Sequence, residues 1–344
     1  MVATRLALAV ALFAAPAAHA APKVVADIPA VHSIAAAVMT GVAEPRLIVA
    51  PGASPHGYAM KPSEAQALAD ADVVFWIGHE LTPWLETAVE TLGANAKSYE
   101  MMDAPGLHLL DFREGATFEA HDHGDHEDHE EEHRHDEHAK SEDEHGHGDH
   151  DEDHHDGRAK DEHGHDDHGH AAGEKDPHIW LDPANGRAMA DAMAAGLTEV
   201  DPANAAAYAA NAAALKAEID AVEAELNASL AAVRGKPFIV FHDAYHYFEA
   251  RFDVEAAGAV SVSDATTPGP ARVEEIRALI ETAGVICVFT EPQFDERLAL
   301  RLIEGAGARS GQLDPQGVDI APGAGHYPAL LRRLGGDLAE CLSS

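Results

Sequence analysis

Positively charged residues are scarce in this chain of 344 residues: 23 Lys and Arg stand against 60 Asp and Glu, for a formal net charge of −37. This balance argues against nucleic acid or an anionic membrane surface as a partner, and it suits the attraction of cations. Long apolar runs are missing beyond the N-terminus, since no later stretch reaches the roughly 20 apolar residues of a membrane-spanning helix. We therefore expect a soluble protein without membrane insertion. Cysteine is also rare, with Cys287 and Cys341 the only two.

The N-terminus has the pattern of an export signal. Arg5 supplies a positive charge, residues 6–15 form a short apolar run, and Ala18-His19-Ala20 resembles a cleavage site. We expect residues 1–20 to be removed on export, and no lipid anchor, because no cysteine stands at the cleavage point. In an oxidising compartment an even pair of cysteines is expected to form one disulfide, with two buried free thiols as the alternative.

The segment from residue 121 to residue 170 differs sharply in composition from the rest of the chain. It contains 16 of the 25 histidines and 21 Asp and Glu against four Lys and Arg, with almost no apolar residues. Such a segment cannot bury enough surface to offset its ordering entropy, so residues 119–175 are expected to form a disordered, mobile loop. Imidazole and carboxylate both bind divalent ions, which indicates a metal-collecting tract. A solvated acidic tract with incidental histidines is the alternative.

Short apolar runs alternate with helical stretches on both sides of this loop, which predicts an α/β fold with parallel sheets. About 320 residues remain after export, more than one core usually organises, so two lobes are expected. Asp201-Pro202 opens a long Ala- and Glu-rich helix to about Val233, which suits a rigid connection between lobes. The predicted strands cover residues 23–27, 46–50, 72–77, 237–241, 254–260, 285–290 and 309–313. The predicted helices cover residues 30–40, 62–69, 82–92, 184–200, 202–233, 272–282 and 297–305.

Three histidines outside the loop stand where a parallel sheet is expected to hold its ligand, near the carboxyl ends of strands. His56 and His242 each follow a predicted strand, and His178 lies at the exit from the acidic loop. Three imidazoles with an open or oxygen-filled fourth position make a good zinc site. His246 is a weaker ligand candidate. Asp243 is expected either to orient the imidazole of His242 through its second nitrogen or to cap a helix.

Five segments stand in a distinctive order along the chain. They are PGASPHGYAMKPSE (51–64), DPHIWLDP (176–183), FIVFHDAYHYFE (238–249), VFTEPQF (288–294) and GQLDP (311–315). Together they resemble the metal-binding class of ABC-transporter solute-binding proteins, and most closely the ZnuA-type periplasmic zinc-binding proteins. An acidic His-rich insertion stands between the first two segments, as it does in that type. The resemblance covers nearly the whole mature chain.

The resemblance implies two α/β lobes joined by one long rigid helix, with zinc held between them. The N-terminal lobe is expected over residues 21–184, including the loop, and the C-terminal lobe over residues 236–344. Residues 185–235 are expected to hold the connecting helices. ZnuA-type proteins carry a disulfide in the second lobe where this chain has Cys287 and Cys341, which favours that pairing.

The resemblance also implies the metal ligands, which are His56, His178 and His242. Relatives that prefer manganese carry Glu in place of His242, and imidazole suits zinc, so zinc is the expected ion. Asp314 matches the Asp that completes the site in several relatives. A water or a histidine of the loop are the alternatives for that fourth position.

The expected function is capture of zinc in the periplasm and delivery of this transported ligand to the permease and ATPase subunits of an ABC importer. The loop is then an auxiliary zinc collector or a sensor. We expect a monomer that catalyses nothing. The alternatives are manganese or iron capture by the same fold, a zinc buffer without a transporter, and a zinc-dependent hydrolase, for which the chain offers no convincing general base or nucleophile motif.

Overall fold

A computed structural model describes residues 20–113, 174–261, 268–294, 297–305 and 307–343. The predicted export signal and nearly all of the predicted loop over residues 119–175 lie outside these ranges. The described residues contain two four-stranded sheets, and every strand pairing within them is parallel. The predicted class of two parallel sheets flanked by helices is therefore confirmed.

The first sheet has the strand order β2-β1-β3-β4, and three helices connect its strands. Its strands are β1 (Val24–Ala26), β2 (Arg46–Leu47), β3 (Val73–Trp76) and β4 (Lys97–Glu100). Its helices are α1 (Pro29–Val38), α2 (Pro62–Ala69) and α3 (Pro83–Thr91). Each helix begins with a proline, whose missing N–H would have no helical partner in the first turn. The central strands β1 and β3 are entirely buried, as expected when both faces of a parallel sheet are covered.

Two long helices follow the first sheet, α4 (Pro183–Val200) and α5 (Ala205–Leu230). At 1.5 Å per residue, the 26 residues of α5 extend over about 39 Å. Seven of them are buried, at intervals of three or four, so one face of the helix packs against α1 and α4. These seven are Tyr208, Ala212, Leu215, Ile219, Val222, Leu226 and Leu230. The predicted long joining helix is confirmed, and it begins after a short 3₁₀ turn over Pro202–Asn204.

The second sheet has the order β6-β5-β7-β8, which repeats the connectivity of the first. Its strands are β5 (Phe238–His242), β6 (Ala256–Ser261), β7 (Cys287–Thr290) and β8 (Arg309–Gln312). The helices of this half are α6 (His246–Phe252), α7 (Pro270–Ala283), α8 (Arg297–Ile303) and α9 (His326–Ser343). Because ligands bind beyond the carboxyl ends of such strands, β5 and β7 are the central strands to follow into the site.

The last helix, α9, joins the two halves of the core. A side chain at Gly335 would collide with Leu226, so the glycine permits close packing of α9 on α5. The predicted disulfide is confirmed, since Cys287 of β7 is bonded to Cys341 of α9. Within the described ranges, no helix has the length and apolarity needed to cross a membrane.

Several elements differ from those expected. The strand predicted over residues 46–50 is limited to Arg46–Leu47, and the one predicted over residues 254–260 begins at Ala256. Three elements were not predicted at all, namely β4, α6 and α9. The central strands β1, β3 and β7 lie within the predicted ranges, and β5 ends one residue beyond its predicted range.

Candidate metal centre

His242 is the last residue of β5, so its side chain stands at the carboxyl edge of the second sheet. Its Nδ1 lies 2.6 Å from Oε1 of Glu291, the first residue after the neighbouring strand β7. Both side chains are at most 5% exposed. A carboxylate that accepts a hydrogen bond from Nδ1–H selects the tautomer whose Nε2 carries a free lone pair, which is the form that binds a metal.

His178 is positioned in the same way by a different carboxylate. Its Nδ1 lies 2.7 Å from Oδ1 of Asp176, and the same oxygen accepts the backbone N–H of His178 over 2.9 Å. Burial raises the pKa of Asp176 to about 7, a shift that a cation bound at the imidazole would oppose. A 3₁₀ turn follows directly, and its Trp180 donates from Nε1 to the carbonyl of Pro315 over 2.9 Å. This contact joins the histidine segment to the residues that follow β8.

His56 lies on the loop that follows β2 and is half-buried. Its backbone N–H donates to Oγ of Ser54 over 3.2 Å. The preceding carbonyl, that of Pro55, accepts a hydrogen bond from Nε1 of Trp84 over 2.7 Å. These contacts connect the loop that carries His56 to the start of α3.

The structure brings the three predicted histidines together. The ring centroid of His178 lies 5.5 Å from the ring centroid of His56 and 5.5 Å from that of His242. The ring centroids of His56 and His242 are 6.5 Å apart. One ring nitrogen from each histidine lies within 4.8 Å of the others, and the described residues contain no second such group of His, Cys, Asp or Glu. Tetrahedral zinc with Zn–N bonds of about 2.0–2.1 Å requires nitrogens about 3.4 Å apart. The nitrogens therefore need to approach one another by at most about 1.4 Å to form the site.

The residues around the three imidazoles are mostly uncharged. Besides the histidines, the small cavity is lined by Ser54, Pro55, Glu291, Gln293, Pro315 and Gln316. Asp314 directly precedes Pro315 in the sequence but does not line the cavity. Its two carboxylate oxygens accept the backbone N–H groups of Gln316 and Val318 over 2.9 and 2.5 Å, which closes a turn. The amide oxygen of Gln316 is buried and has no hydrogen-bond partner in the part of the chain that the structure describes.

The two carboxylates that hold the imidazoles are not among the residues predicted from the sequence. Glu291, and not the predicted Asp243, contacts Nδ1 of His242, and Asp243 instead pairs with Arg113. Both partners lay in motifs already singled out, Asp176 two residues before His178 and Glu291 in VFTEPQF. His246 stays outside the histidine group, with its Nδ1 4.0 Å from a carboxylate oxygen of Asp176.

Comparison with known proteins identifies the relatives of this chain. Residues 24–341 match the family model described as the periplasmic component A of the zinc-uptake complex, ZnuA. The chain is 47% identical over 320 residues to the high-affinity zinc uptake system protein ZnuA of Brucella suis, covering 93% of this chain and 91% of the relative. It is 42% identical over 340 residues to the protein of the same name from Paracoccus denitrificans, covering 98% and 97%.

Solved structures share the fold at lower sequence identity. A zinc-bound deletion mutant of ZnuA matches with a TM-score of 0.68 at 22% identity, over 94% of this chain and 99% of that one. The periplasmic zinc-binding protein TroA of Treponema pallidum matches with a TM-score of 0.69 at 15% identity, over 94% and 99%. At these identities the likeness concerns the two-sheet architecture alone.

Proposed function

The chain belongs to the ZnuA family of periplasmic zinc-uptake components, and from this membership we propose that it captures zinc with His56, His178 and His242 for delivery to a membrane importer. The observation that carries the ligand assignment is the convergence of these three imidazoles on one cavity. Two of them have a carboxylate on Nδ1, which directs Nε2 to the metal. Such preorganisation supports tight binding because little ordering remains when the ion arrives.

The donor set favours zinc over manganese or iron. Three neutral imidazoles are ligands of intermediate softness, which suit zinc, whereas manganese prefers shells rich in carboxylate and water. The one carboxylate that lines the cavity, Glu291, is engaged with His242. Zinc is therefore the ion that we propose as cargo.

For the fourth position of the metal we propose a water rather than Asp314. Asp314 does not line the cavity, and its two carboxylate oxygens accept the backbone N–H groups that close the turn after β8, so a move of this side chain towards the metal would open that turn. A zinc-bound water needs an acceptor for its protons. The buried amide oxygen of Gln316 supports this role, since it lies on a residue that lines the cavity.

The remaining parts of the function follow from family membership and composition. We propose that the chain is exported by its N-terminal signal, acts as a monomer, and passes zinc to the permease and ATPase subunits of an ABC importer without catalysing a reaction. The segments over residues 21–184 and 236–344 serve as the lobes that hold zinc between them. The histidines of residues 121–170 serve as auxiliary, weaker zinc ligands, in keeping with their number.

A zinc titration against a competing chelator tests the proposal. His242→Ala, His178→Ala and His56→Ala are each expected to weaken the tight site by more than about 100-fold, the upper end of what loss of an outer partner causes. His79→Ala is the matched control, because His79 is exposed and lies outside the cavity. The tight site is expected to survive deletion of residues 121–170. If tight binding is lost with that deletion, or if tight binding persists in His242→Ala, the cavity is not the capture site. Competition with manganese in the same assay separates the alternative cargo.

A further inference from the structure

Arg113 is the last residue that the structure describes before residue 174, and only 11% of its side chain is exposed. Its guanidinium stands between two carboxylates. Nε donates to the two oxygens of Asp243 over 3.1 and 3.0 Å, and Nη2 contacts Asp243 as well. Nη1 and Nη2 donate to the two oxygens of Glu249 over 2.6 and 3.2 Å. One planar fork thus binds both carboxylates, which a lysine cannot do.

Both carboxylates lie on the chain that follows His242, one directly after β5 and one in α6. Asp243 is the next residue after His242, at the end of β5. Glu249 lies in α6 and is 2% exposed, and its Oε2 also accepts the N–H of Ala256 at the start of β6 over 3.1 Å. The arginine is therefore tied to the chain directly beside one proposed zinc ligand.

The backbone around this arginine is tied to the other buried ligand. Residues 110–112, directly before Arg113, pair in antiparallel fashion with residues 174–176, through an isolated bridge and two backbone hydrogen bonds of 3.0 and 3.1 Å. The second of these segments ends at Asp176, whose carboxylate holds Nδ1 of His178. These paired segments therefore connect Arg113 to the buried imidazole of His178 over only a few residues.

Tyr247 reinforces the same junction from α6. Its hydroxyl donates to the carbonyl of Asp176 over 2.8 Å and accepts the N–H of Leu110 over 3.0 Å. The tyrosine is 1% exposed, so both bonds are shielded from water. Helix α6 consequently contacts both paired segments, once through this hydroxyl and once through Glu249 and Arg113.

We propose that Arg113 is a positioning residue that sets the separation between His178 and His242, so that zinc meets two imidazoles already held at a fixed distance. The inference rests on the proposed zinc-capture function. Its physical basis is that one planar guanidinium holds Asp243 and Glu249 together through several hydrogen bonds, which are lost without the fork. The end of β5 and α6 would then move relative to the paired segment that carries His178, and the two nitrogens would no longer be held within reach of the roughly 3.4 Å separation that zinc requires.

Arg113→Lys tests the role because it keeps the charge and removes the fork. Arg187→Lys is the matched control, since Arg187 also stands between two carboxylates, those of Glu223 and Asp220 at 2.6 and 3.0 Å, but joins α4 to α5 outside the cavity. We expect Arg113→Lys to weaken zinc binding by about tenfold or more and Arg187→Lys to change it by less than about twofold. The absorption spectrum of bound Co²⁺ should change only in Arg113→Lys. The unfolding midpoints of the two metal-free variants should fall by similar amounts.

The outcomes are distinct. If Arg113→Lys binds zinc as tightly as the wild type, with the same Co²⁺ spectrum, Arg113 is only structural and the inference is wrong. If this variant does not fold, Asp243→Asn replaces it, because that change leaves the pair with Glu249, and the same criteria apply. Tight binding that persists in His242→Ala refutes the proposed capture site on which this inference rests, whatever Arg113→Lys shows.

Discussion

Replacing Glu291 with glutamine is expected to weaken zinc binding by about 10- to 100-fold. Oε1 of Glu291 lies 2.6 Å from Nδ1 of His242, in surroundings that exclude water almost completely. Glutamine keeps the size of the side chain but loses its charge, and charge-assisted hydrogen bonds are about twice as strong as neutral ones. The new amide can also turn its NH₂ group towards Nδ1. That arrangement favours the tautomer with the proton on Nε2, the nitrogen needed by the metal.

The expected loss corresponds to about 1.4–2.7 kcal/mol of binding free energy. It is measured by chelator competition at fixed pH and ionic strength, with the unfolding midpoint of the metal-free variant recorded in parallel. Glu80→Gln is the matched control, because Glu80 also stands beside a histidine, His79, but at 3.5 Å and with that imidazole 60% exposed. The reasoning fails if Glu291→Gln binds zinc within about twofold of the wild type, since the carboxylate would then not position the imidazole.

Two further predictions concern the fold. Burial raises the pKa of Asp27 to about 7, so the folded chain binds a proton at this carboxylate more tightly than the unfolded chain does. This group should therefore lower the free energy of unfolding of the metal-free protein by about 2–3 kcal/mol as pH rises from about 5 to about 8. Urea titrations at both pH values should show that Asp27→Asn removes this part of the pH dependence of the free energy of unfolding. Gly335→Ala should destabilise the protein by about 1–3 kcal/mol, because its new methyl group meets α5. Gly336→Ala, with open space around it, should not; equal effects would contradict the packing argument.

The elements predicted correctly are those with a strong local signal. The central strands β1, β3, β5 and β7 are short apolar runs, and α5 carries buried residues at helical intervals. Three elements escaped prediction because their local signals conflict with their structure. The strand β4, Lys97–Glu100, is polar and partly exposed, as suits a sheet edge. The helix α6 has three aromatic residues among its seven, which lowers its helix propensity, and α9 contains Pro328 and two glycines.

The tertiary structure explains why α9 is a helix although its proline and glycines lower its helix propensity. Pro328 lies in the first turn, where its missing N–H leaves no helical bond unmade. Gly335 stands against Leu226, where a larger residue would not fit. The helix is therefore stabilised by its packing on α5 rather than by its own composition.

The amino-acid sequence was enough to predict the α/β class, the long joining helix and the three histidines of the candidate site, because hydrophobic periodicity and the positions of motifs at strand ends are local properties of the chain. The carboxylates that hold the imidazoles, and the direction of the oxygens of Asp314, became known from the folded structure. Glu291 is 49 residues from His242, and Arg113 is 130 residues from Asp243. Contacts of this kind depend on how parallel strands and helices are brought side by side, and no local pattern in the chain specifies that arrangement.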